Sequence, residues 1–195
     1  MNGIFEEPAS ATPLTPEEMR DLIPAQIAYR RELNEAEQEN IARAEEWALS
    51  RRRRDPLSEK FIKDLHKHMF GDVWRWAGKF RTSQRNIGID HWLIPAELRQ
   101  LLDHSKAWIE FGTWPADEIA VRFHHRLVRI RPFPNGNGRH ARLMADLLAM
   151  RLGRERFSWG RESLRDPGAA RTRYIEALRA ADSHDIALLL AFSRA

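Results

Sequence analysis

Cysteine is absent from this sequence of 195 residues, so the chain contains no disulfide, thiolate metal site or thiol nucleophile. Long apolar runs are absent too, and no stretch approaches the roughly 18 apolar residues of a transmembrane helix. The first residues lack a basic region followed by an apolar run, which argues against a secretory signal peptide. From these absences we expect a cytoplasmic protein that does not span a membrane.

A strong charge of one sign is also missing. The 32 basic and 28 acidic residues leave a formal net charge of +4. This small excess is compatible with a mixed, solvated surface that reserves some arginines for a phosphate site. It is also compatible with a basic patch that binds nucleic acid. Hydrophobic residues are 43% and charged residues 31% of the chain, which is typical of one globular domain with a substantial core.

Apolar residues recur at helical spacing along most of the chain. The apolar face is widest between residues 116 and 130, which predicts that this helix is central. The pattern as a whole predicts an all-α domain over residues 15–195, preceded by a loosely attached arm at residues 1–14. The predicted helices begin at or near Thr15, Asn34, Asp55, Pro95, Ala116, Gly138, Asp166 and Ile186.

Residues 85–94 are the one stretch with strand character. Ile87 and Ile89 alternate with smaller or polar residues, and Trp92 and Ile94 continue the alternation. This pattern predicts a short β-hairpin on an otherwise helical protein. An exposed hairpin edge is suited to binding an extended segment of another protein by strand addition. A hairpin with a purely structural role fits the same pattern.

The loop between the central helix and the next one is the most distinctive part of the chain. It carries two prolines and two glycines within a few residues. The prolines end the incoming helix because they lack an N–H donor and fix φ. Gly136 and Gly138 tolerate backbone conformations that a Cβ would forbid, and they let a ligand approach the main chain closely.

The helix that follows this loop offers a ready anion site. The N–H groups of its first turn point outwards, and its dipole favours negative charge. Arg139 and Arg142 are three residues apart and therefore share one face of these first turns. Two guanidinium groups beside such amides predict a polyphosphate ligand rather than a single carboxylate.

The same loop resembles the signature of the Fic family, His-Pro-Phe-x-(Asp/Glu)-Gly-Asn-Gly-Arg-x-x-Arg. Arg131 stands where the family has its catalytic histidine, and Asn135 stands where it has a metal-binding acid. The similarity extends over most of the chain, and the sequence resembles most closely the subgroup called mobile mystery protein B. Within the core motif, residues 131–142, the matching positions are Pro132, Phe133, Gly136, Asn137, Gly138, Arg139 and Arg142.

The resemblance implies a Fic-type helical bundle with one β-hairpin flap. It also implies an enzyme that transfers AMP from ATP to a hydroxyl group of a target protein. By position, Arg139 would contact the β-phosphate, Arg142 would contact the γ-phosphate, and Phe133 would anchor the loop in the core. The residues that would hold the α-phosphate are Gly136, Asn137 and Gly138.

Three further expectations follow from the same resemblance. The flap edge that holds the target segment would consist of Ile87, Gly88 and Ile89. Asn135 would bind Mg²⁺, although a neutral carbonyl oxygen is a weaker ligand for this hard cation than a carboxylate. Gly138, in place of the lysine of the kinase-like Doc branch, favours nucleotidyl transfer over phosphoryl transfer.

Arg131 is the position at which this predicted mechanism stops. The family histidine accepts the proton of the target hydroxyl group, which a neutral imidazole can do near pH 7. Arginine stays protonated and has no acceptor, so Arg131 cannot be that base. Three interpretations remain: an adenylyltransferase that Arg131 inactivates or severely impairs, a natural pseudoenzyme that binds nucleotide or another protein, and a basic helical protein that binds nucleic acid.

An inhibitory helix is a further feature in which Fic proteins resemble one another, with the pattern (Ser/Thr)-x-x-x-Glu-(Gly/Asn). Here Glu39-Asn40 match the end of the pattern, but Glu35 replaces the hydroxyl residue. One hypothesis is that Glu39 pairs with Arg142 and displaces the terminal phosphate. The alternative is that both glutamates are ordinary acids in the first turns of a helix, and that any restraint comes from a separate antitoxin.

Overall fold

The structure, a computed structural model, describes residues 20–24, 26–27, 30–50, 55–160 and 167–195. Within these residues the chain forms seven α-helices and a short 3₁₀ helix at His91–Leu93. The α-helices are α1 (Arg30–Ser50), α2 (Glu59–Phe70), α3 (Ile94–Glu110), α4 (Ala116–Ile130), α5 (Asn137–Arg151), α6 (Pro167–Asp182) and α7 (Ala187–Arg194). The predicted arm at residues 1–14 and the helix predicted at Thr15 lie outside the described residues.

Local sequence accounts for both ends of α2. Its N-cap is Ser58, whose hydroxyl oxygen accepts a hydrogen bond from the amide of Phe61 at 3.2 Å. A cap of this kind stabilises a helix by about 1 kcal/mol. The helix ends before Gly71, where an added Cβ would lie 2.5 Å from the carbonyl oxygen of Lys67. These two residues set the ends of α2, the helix whose His66 contacts the loop.

Helix α4 is the centre of the bundle, in agreement with the width of its apolar face. It packs against α3, α5 and α7, and its contact with α5 is the most extensive of all. Burial of one large apolar side chain stabilises a fold by about 1.5–3 kcal/mol. The α4 side chains with exposures of 3% or less include Ile119, Ala120, Val121, Phe123, Leu127 and Ile130.

The loop 131–136 joins the two central helices and therefore lies at one end of the core. Helix α2 contacts the loop there through His66. Helices α1 and α6 reach the adjoining first turns of α5, where Glu37 contacts Arg139 and Tyr174 contacts Arg142. None of the helices in the described part of the chain combines the length and the apolar character that a membrane span requires.

The helical bundle agrees with the predicted all-α class, but the predicted β-hairpin at residues 85–94 is wrong. Residues 81–90 follow an irregular path of bends, and the 3₁₀ helix then leads directly into α3. Among the described residues no strand forms, and the one β-type contact is an isolated antiparallel bridge between Leu22 and Trp74.

Two observations explain why the apolar alternation at residues 85–94 does not form a hairpin. Ile94 is fully buried because it opens α3, not because it faces a sheet. The carbonyl oxygens of Ser83 and Ile89 accept hydrogen bonds from the side chain of Arg81, which occupies acceptors that a partner strand would need. The predicted flap edge at Ile87, Gly88 and Ile89 is therefore an irregular segment.

Candidate active site

Arg131 ends α4 in a left-handed conformation, with φ 49° and ψ 65°. Its amide still donates to the carbonyl oxygen of Leu127 at 3.2 Å, so the helix closes with a regular hydrogen bond. A positive φ is uncommon for a residue other than glycine and persists only where the surroundings hold it. This conformation turns the chain out of the helix and into the loop.

Phe133 lies in the core, as the predicted loop anchor should, with 1% of its surface exposed. Its ring stacks on the imidazole of His66 at a centroid distance of 3.7 Å and meets the edge of His140 at 5.2 Å. Stacked and edge-to-face pairs contribute about 0.5–1.5 kcal/mol beyond the area they bury. The loop is therefore fixed to the protein at its third residue.

Asn137 closes the loop with its side chain. Its Oδ1 accepts from the amide of Phe133 at 3.0 Å, and its Nδ2 donates to the carbonyl oxygen of the same residue at 2.8 Å. The side chain is 4% exposed. Both polar groups of this amide are thus engaged within the loop, which leaves the backbone amide of Asn137 as its donor for a phosphate.

His66 holds the loop from α2. Its Nδ1 accepts from the amide of Gly78 at 3.0 Å, which leaves Nε2 as the donor to the carbonyl oxygen of Asn135 at 3.1 Å. Complete burial, reinforced by the nearby His140 and Arg139, lowers the pKa of His66 well below its ordinary value. The imidazole is therefore neutral and its tautomer is fixed by its two partners.

The two glycines of the loop have different environments. Gly136 has φ 74°, and an added Cβ would lie 2.5 Å from the ring of Phe70, so only glycine fits. Gly138 lies in the first turn of α5, and an added Cβ would meet no atom within 4 Å. The space above Gly138 is therefore open, beside helix amides that have no acceptor within the helix.

Arg139 extends from this first turn towards α1. Its guanidinium forms an ion pair with Glu37 at 2.7 Å and lies over the ring of Phe70 at 5.0 Å. Glu37 is only 5% exposed, and its second oxygen accepts from the indole nitrogen of Trp74 at 2.7 Å. One motif arginine is thus held by a buried carboxylate of the same chain.

Arg142 lies on the other side of the first turns. Its guanidinium lies over the ring of Tyr174 at 5.1 Å, and its Nε donates to the carbonyl oxygen of Gly138 at 3.4 Å. The Tyr174 hydroxyl is 3.0 Å from Nε2 of the buried His124. Burial raises the pKa of Tyr174, which Arg142 and Arg131 partly oppose, and burial lowers the pKa of His124 to about 3. Both groups are therefore neutral near pH 7.

On α1, Glu37 contacts a motif arginine, whereas the inhibitory-helix hypothesis named Glu39. Glu39 is exposed on α1. Among the described residues, the α1 carboxylate that forms an ion pair with a motif arginine is that of Glu37, and its partner is Arg139 rather than Arg142. Glu37 and Glu39 are two residues apart and so lie on different faces of the helix.

Asn135 does not fit the role of a metal ligand well. Its Oδ1 accepts from the amide of Gly136 at 2.7 Å, and its backbone carbonyl accepts from His66. Mg²⁺ prefers carboxylate oxygens, and none stands at this position. In the described part of the chain no group of three or more His, Asp or Glu side chains converges on a metal site.

Segment 83–90, which contains the predicted flap edge Ile87, Gly88 and Ile89, lies against the start of the loop. At Gly88, with φ 101°, an added Cβ would lie 3.1 Å from the Cβ of Arg131. Ile87 remains 41% exposed. The predicted target-binding residues and the position of the family histidine are therefore neighbours, although no hairpin joins them.

Sequence reasoning missed several residues that hold this site. A signal existed for Glu37, because it interrupts the buried stripe of α1 formed by Leu33, Asn40, Ala44 and Ala48. A carboxylate on a buried face needs a cationic or hydrogen-bonding partner. Long-range contacts set the roles of the others, which are His66, Trp74, Arg81 and Tyr174.

Comparison with known proteins gives a family for the central part of the chain. Residues 56–149 match the sequence profile of the Fic/DOC family. "Protein adenylyltransferase Fic" of Aedes aegypti is 35% identical over 104 residues, which are 51% of this chain and 21% of that protein. The protein of the same name from Drosophila melanogaster is 30% identical over 134 residues, or 67% of this chain and 26% of that protein. The chain thus spans about a quarter of the length of these relatives, or less.

A solved structure extends the similarity to nearly the whole chain. The BepC protein of Bartonella tribocorum, with bound AMPPNP, superposes with a TM-score of 0.66 over 92% of this chain and 97% of that one. Sequence identity is 18%, so this similarity concerns the fold alone.

Proposed function

Because this chain belongs to the Fic/DOC family through the domain at residues 56–149, we propose that it binds ATP at the loop 131–142 in the manner of a protein adenylyltransferase. Such an enzyme transfers AMP from ATP to a hydroxyl group of a target protein. The name of the curated relatives supports this reaction class. Because Arg131 replaces the family histidine, AMP transfer by this chain is abolished or severely impaired.

One observation carries the proposal: the loop is a rigid cradle with an open centre. Phe133 and Asn137 fix its two ends, His66 holds its middle, and the space above Gly138 is free. A preorganised ring of amides at a helix N-terminus binds phosphate without reorganisation. The bound AMPPNP of BepC is a nucleotide of the expected class on a similar fold.

The phosphate contacts that the family resemblance implies are compatible with the contacts of this loop. The amides of Asn137 and Gly138 would bind the α-phosphate, since the Asn137 side chain is engaged within the loop. The amide of Gly136 would join them by leaving the Oδ1 of Asn135, to which it donates at 2.7 Å. Arg139 and Arg142 would bind the β- and γ-phosphates from either side. Arg142 already lies over Tyr174 and needs little movement, whereas Arg139 must leave Glu37.

The transfer step requires a base that Arg131 cannot supply. The target oxygen attacks the α-phosphorus, the bond from this phosphorus to the bridging oxygen breaks, and pyrophosphate leaves. The hydroxyl proton must pass to an acceptor, and a guanidinium has none. The absence of a general base typically lowers a rate by 10²- to 10⁴-fold. Mg²⁺ would enter as part of the ATP substrate, since Asn135 offers no carboxylate.

Restoring the base tests the proposal. Arg131→His should produce measurable AMP transfer, detected by mass spectrometry as a modified hydroxyl on the protein itself or on a protein in a lysate. Arg131→Ala is the matched control, because it removes the guanidinium without adding an acceptor. Transfer by both variants would show that Arg131 acts only by obstruction. No transfer by a folded, ATP-bound histidine variant would favour the alternative, a nucleotide-binding pseudoenzyme.

Nucleotide binding has a separate test, because both interpretations require it. Calorimetry on the unmodified chain should detect ATP binding. Arg142→Ala should weaken it by about 1.5–3 kcal/mol, the range for hydrogen bonds to charged groups. This corresponds to roughly 10- to 150-fold in Kd. A chain with no affinity for ATP or ADP would contradict the proposal as a whole.

A further inference from the structure

Arg81 is the one arginine among the described residues with a side chain buried as deeply as the apolar core. It is 3% exposed and lies between segment 83–90 and the C-terminal end of α4. Its own amide donates to the carbonyl oxygen of Pro132 at 2.9 Å, so its backbone is also joined to the loop. A buried guanidinium needs several acceptors to offset its lost hydration.

The guanidinium of Arg81 donates to four backbone carbonyl oxygens. On the loop side, Nε donates to the carbonyl oxygen of Arg131 at 2.8 Å, and one terminal nitrogen lies 3.4 Å from that of Ile130. On the segment side, the terminal nitrogens donate to the carbonyl oxygens of Ser83, at 3.1 Å, and Ile89. A single rigid group therefore joins two parts of the chain that the sequence separates by about 40 residues.

The loop-side contacts lie at the C-terminus of α4, where the helix dipole favours a positive charge. They also hold the carbonyl group of the one loop residue with an uncommon backbone conformation, Arg131. Burial lowers the pKa of Arg81 and the nearby Asp90 opposes this effect, but an arginine stays protonated at any ordinary pH.

Gly88 completes the contact between the two parts. An added Cβ there would lie 3.1 Å from the Cβ of Arg131 and 3.3 Å from a terminal nitrogen of Arg81. Segment 83–90 is therefore pressed against residue 131 at its side chain and joined to it at its carbonyl group. A shift of segment 83–90 therefore moves residue 131, and the reverse, through two contacts: the Arg81 guanidinium and the packing of Gly88 against Arg131.

We propose that Arg81 is a positioning residue for the transfer reaction, which couples the target-facing segment 83–90 to the backbone of residue 131. This rests on the proposed function. Arg81 touches neither nucleotide nor target; it sets where the side chain of residue 131 points, relative to a target hydroxyl held beside segment 83–90. The phosphate cradle at residues 136–142 is held by other contacts, so ATP binding is independent of Arg81.

The first test uses the Arg131→His background, in which transfer can be measured. Adding Arg81→Lys keeps the positive charge but replaces the planar group with one ammonium that cannot span the four carbonyl groups. We expect AMP transfer at saturating ATP to fall on the order of 100-fold, the cost of a misplaced reacting group. The Kd for ATP should not change. Histidine tolerates the left-handed conformation at residue 131, so the background preserves the geometry.

Two further variants complete this test. Arg75→Lys is the control, because Arg75 also donates to two backbone carbonyl groups, of Arg20 and Leu22, away from the loop. It should leave transfer unchanged. Gly88→Ala disturbs the same bridge from the segment side and should lower transfer as Arg81→Lys does, again without loss of ATP affinity. Thermal unfolding of each variant identifies any that fail to fold.

A second test does not depend on transfer. In the unmodified chain, Arg81→Lys should speed amide hydrogen exchange in residues 83–90 and at the amides of Ile130 and Arg131 together. Exchange in residues 136–142 should stay as it is. Arg75→Lys should change none of these three segments.

The outcomes separate the two proposals. If Arg131→His transfers no AMP, the proposed function fails, and the exchange data alone decide the role of Arg81. Unchanged transfer in the Arg81 variant, or an equal loss of ATP affinity, overturns the positioning role. Faster exchange in only one of the two segments also overturns it, because the two parts are then not coupled.

Discussion

Single side chains decide how this loop meets a polyphosphate, and Glu37 is the most important of them. It is a buried carboxylate whose oxygens are shared between Trp74 and Arg139. A phosphate that binds Arg139 must displace this carboxylate, because both ligands use the same guanidinium donors. The structure therefore holds Arg139, one of the two arginines proposed to bind phosphate, in an internal ion pair.

Replacing Glu37 with Gln should tighten ATP binding. Glutamine keeps an acceptor for the indole of Trp74 but removes the negative charge that competes for Arg139. A half-exposed ion pair is worth up to about 1 kcal/mol, so the Kd for ATP should fall by roughly fivefold. Calorimetry on the unmodified chain measures this.

Glu39→Gln is the control on the same helix, since Glu39 is exposed. It should leave ATP affinity unchanged. If Glu39→Gln tightens binding and Glu37→Gln does not, the hypothesis drawn from the inhibitory-helix pattern is right and the ion pair with Arg139 is incidental.

The loop and the first turn of α5 act together as one element. Gly136 gives the loop a backbone shape that only glycine accepts at that point, against the ring of Phe70. Gly138 follows within the helix, where its backbone needs no glycine and the space beside it is open. The two glycines therefore serve different purposes, one for folding and one for ligand access.

Alanine substitutions should separate these purposes. Gly136→Ala should lower the free energy of unfolding by about 1–3 kcal/mol, because of its positive φ and the clash with Phe70. Gly138→Ala should raise it by about 0.5–1 kcal/mol, the usual preference for alanine within a helix. Urea denaturation measures both.

Gly138→Ala should weaken ATP binding although it stabilises the fold. In Gly138→Ala the added methyl group occupies the space through which phosphate reaches the helix amides, so the Kd for ATP should rise although the fold is more stable. Unchanged affinity would mean that the ligand does not approach the backbone at Gly138.

At the scale of the whole molecule, buried histidines make the fold sensitive to acid. His124 and His140 are fully buried, and burial lowers the pKa of each to about 3. In the unfolded chain both return to about 6.5. Below pH 6.5 the unfolded state therefore binds more protons than the folded state, and protonation favours unfolding.

The free energy of unfolding should fall as the pH decreases from 6.5 towards 5. Each of the two histidines contributes a slope that approaches about 1.4 kcal/mol per pH unit, and the full stability is present above pH 6.5. This range lies above the ordinary pKa of most carboxyl groups. Urea denaturation at several pH values measures the slope, and His140→Gln should reduce it if that variant folds.

His125→Gln is the comparison for this slope. The Nε2 of His125 contacts Asp182 near the surface at 2.8 Å rather than lying in the core, so this variant controls for the loss of a histidine as such. A free energy of unfolding that stays constant between pH 6.5 and 5 in the unmodified chain would contradict the assignment of His124 and His140 as neutral core groups.

The sequence by itself determined the helical class, the central position of α4 and the start of a helix directly after the Gly-rich loop, on which the proposed phosphate site depends. Each of these depends on local information. The width of an apolar face is fixed by helical spacing, and the amides of Asn137, Gly138 and Arg139 have no acceptor within the helix because they begin it. The missing base at Arg131 is equally local, because it is a property of one side chain.

Only the tertiary structure decided which partners these residues have. The alternation of Ile87, Ile89 and Ile94 suggested a hairpin, but Arg81 binds the carbonyl groups of that segment and Ile94 opens α3. Glu39 matched a pattern, yet Glu37 is the residue on the buried face. A buried charge takes whichever acceptors or donors the folded chain brings to it, and for Arg81 and Glu37 these include residues 50 and 102 positions away. Periodicity cannot specify such pairs, because they exist only after the helices have packed.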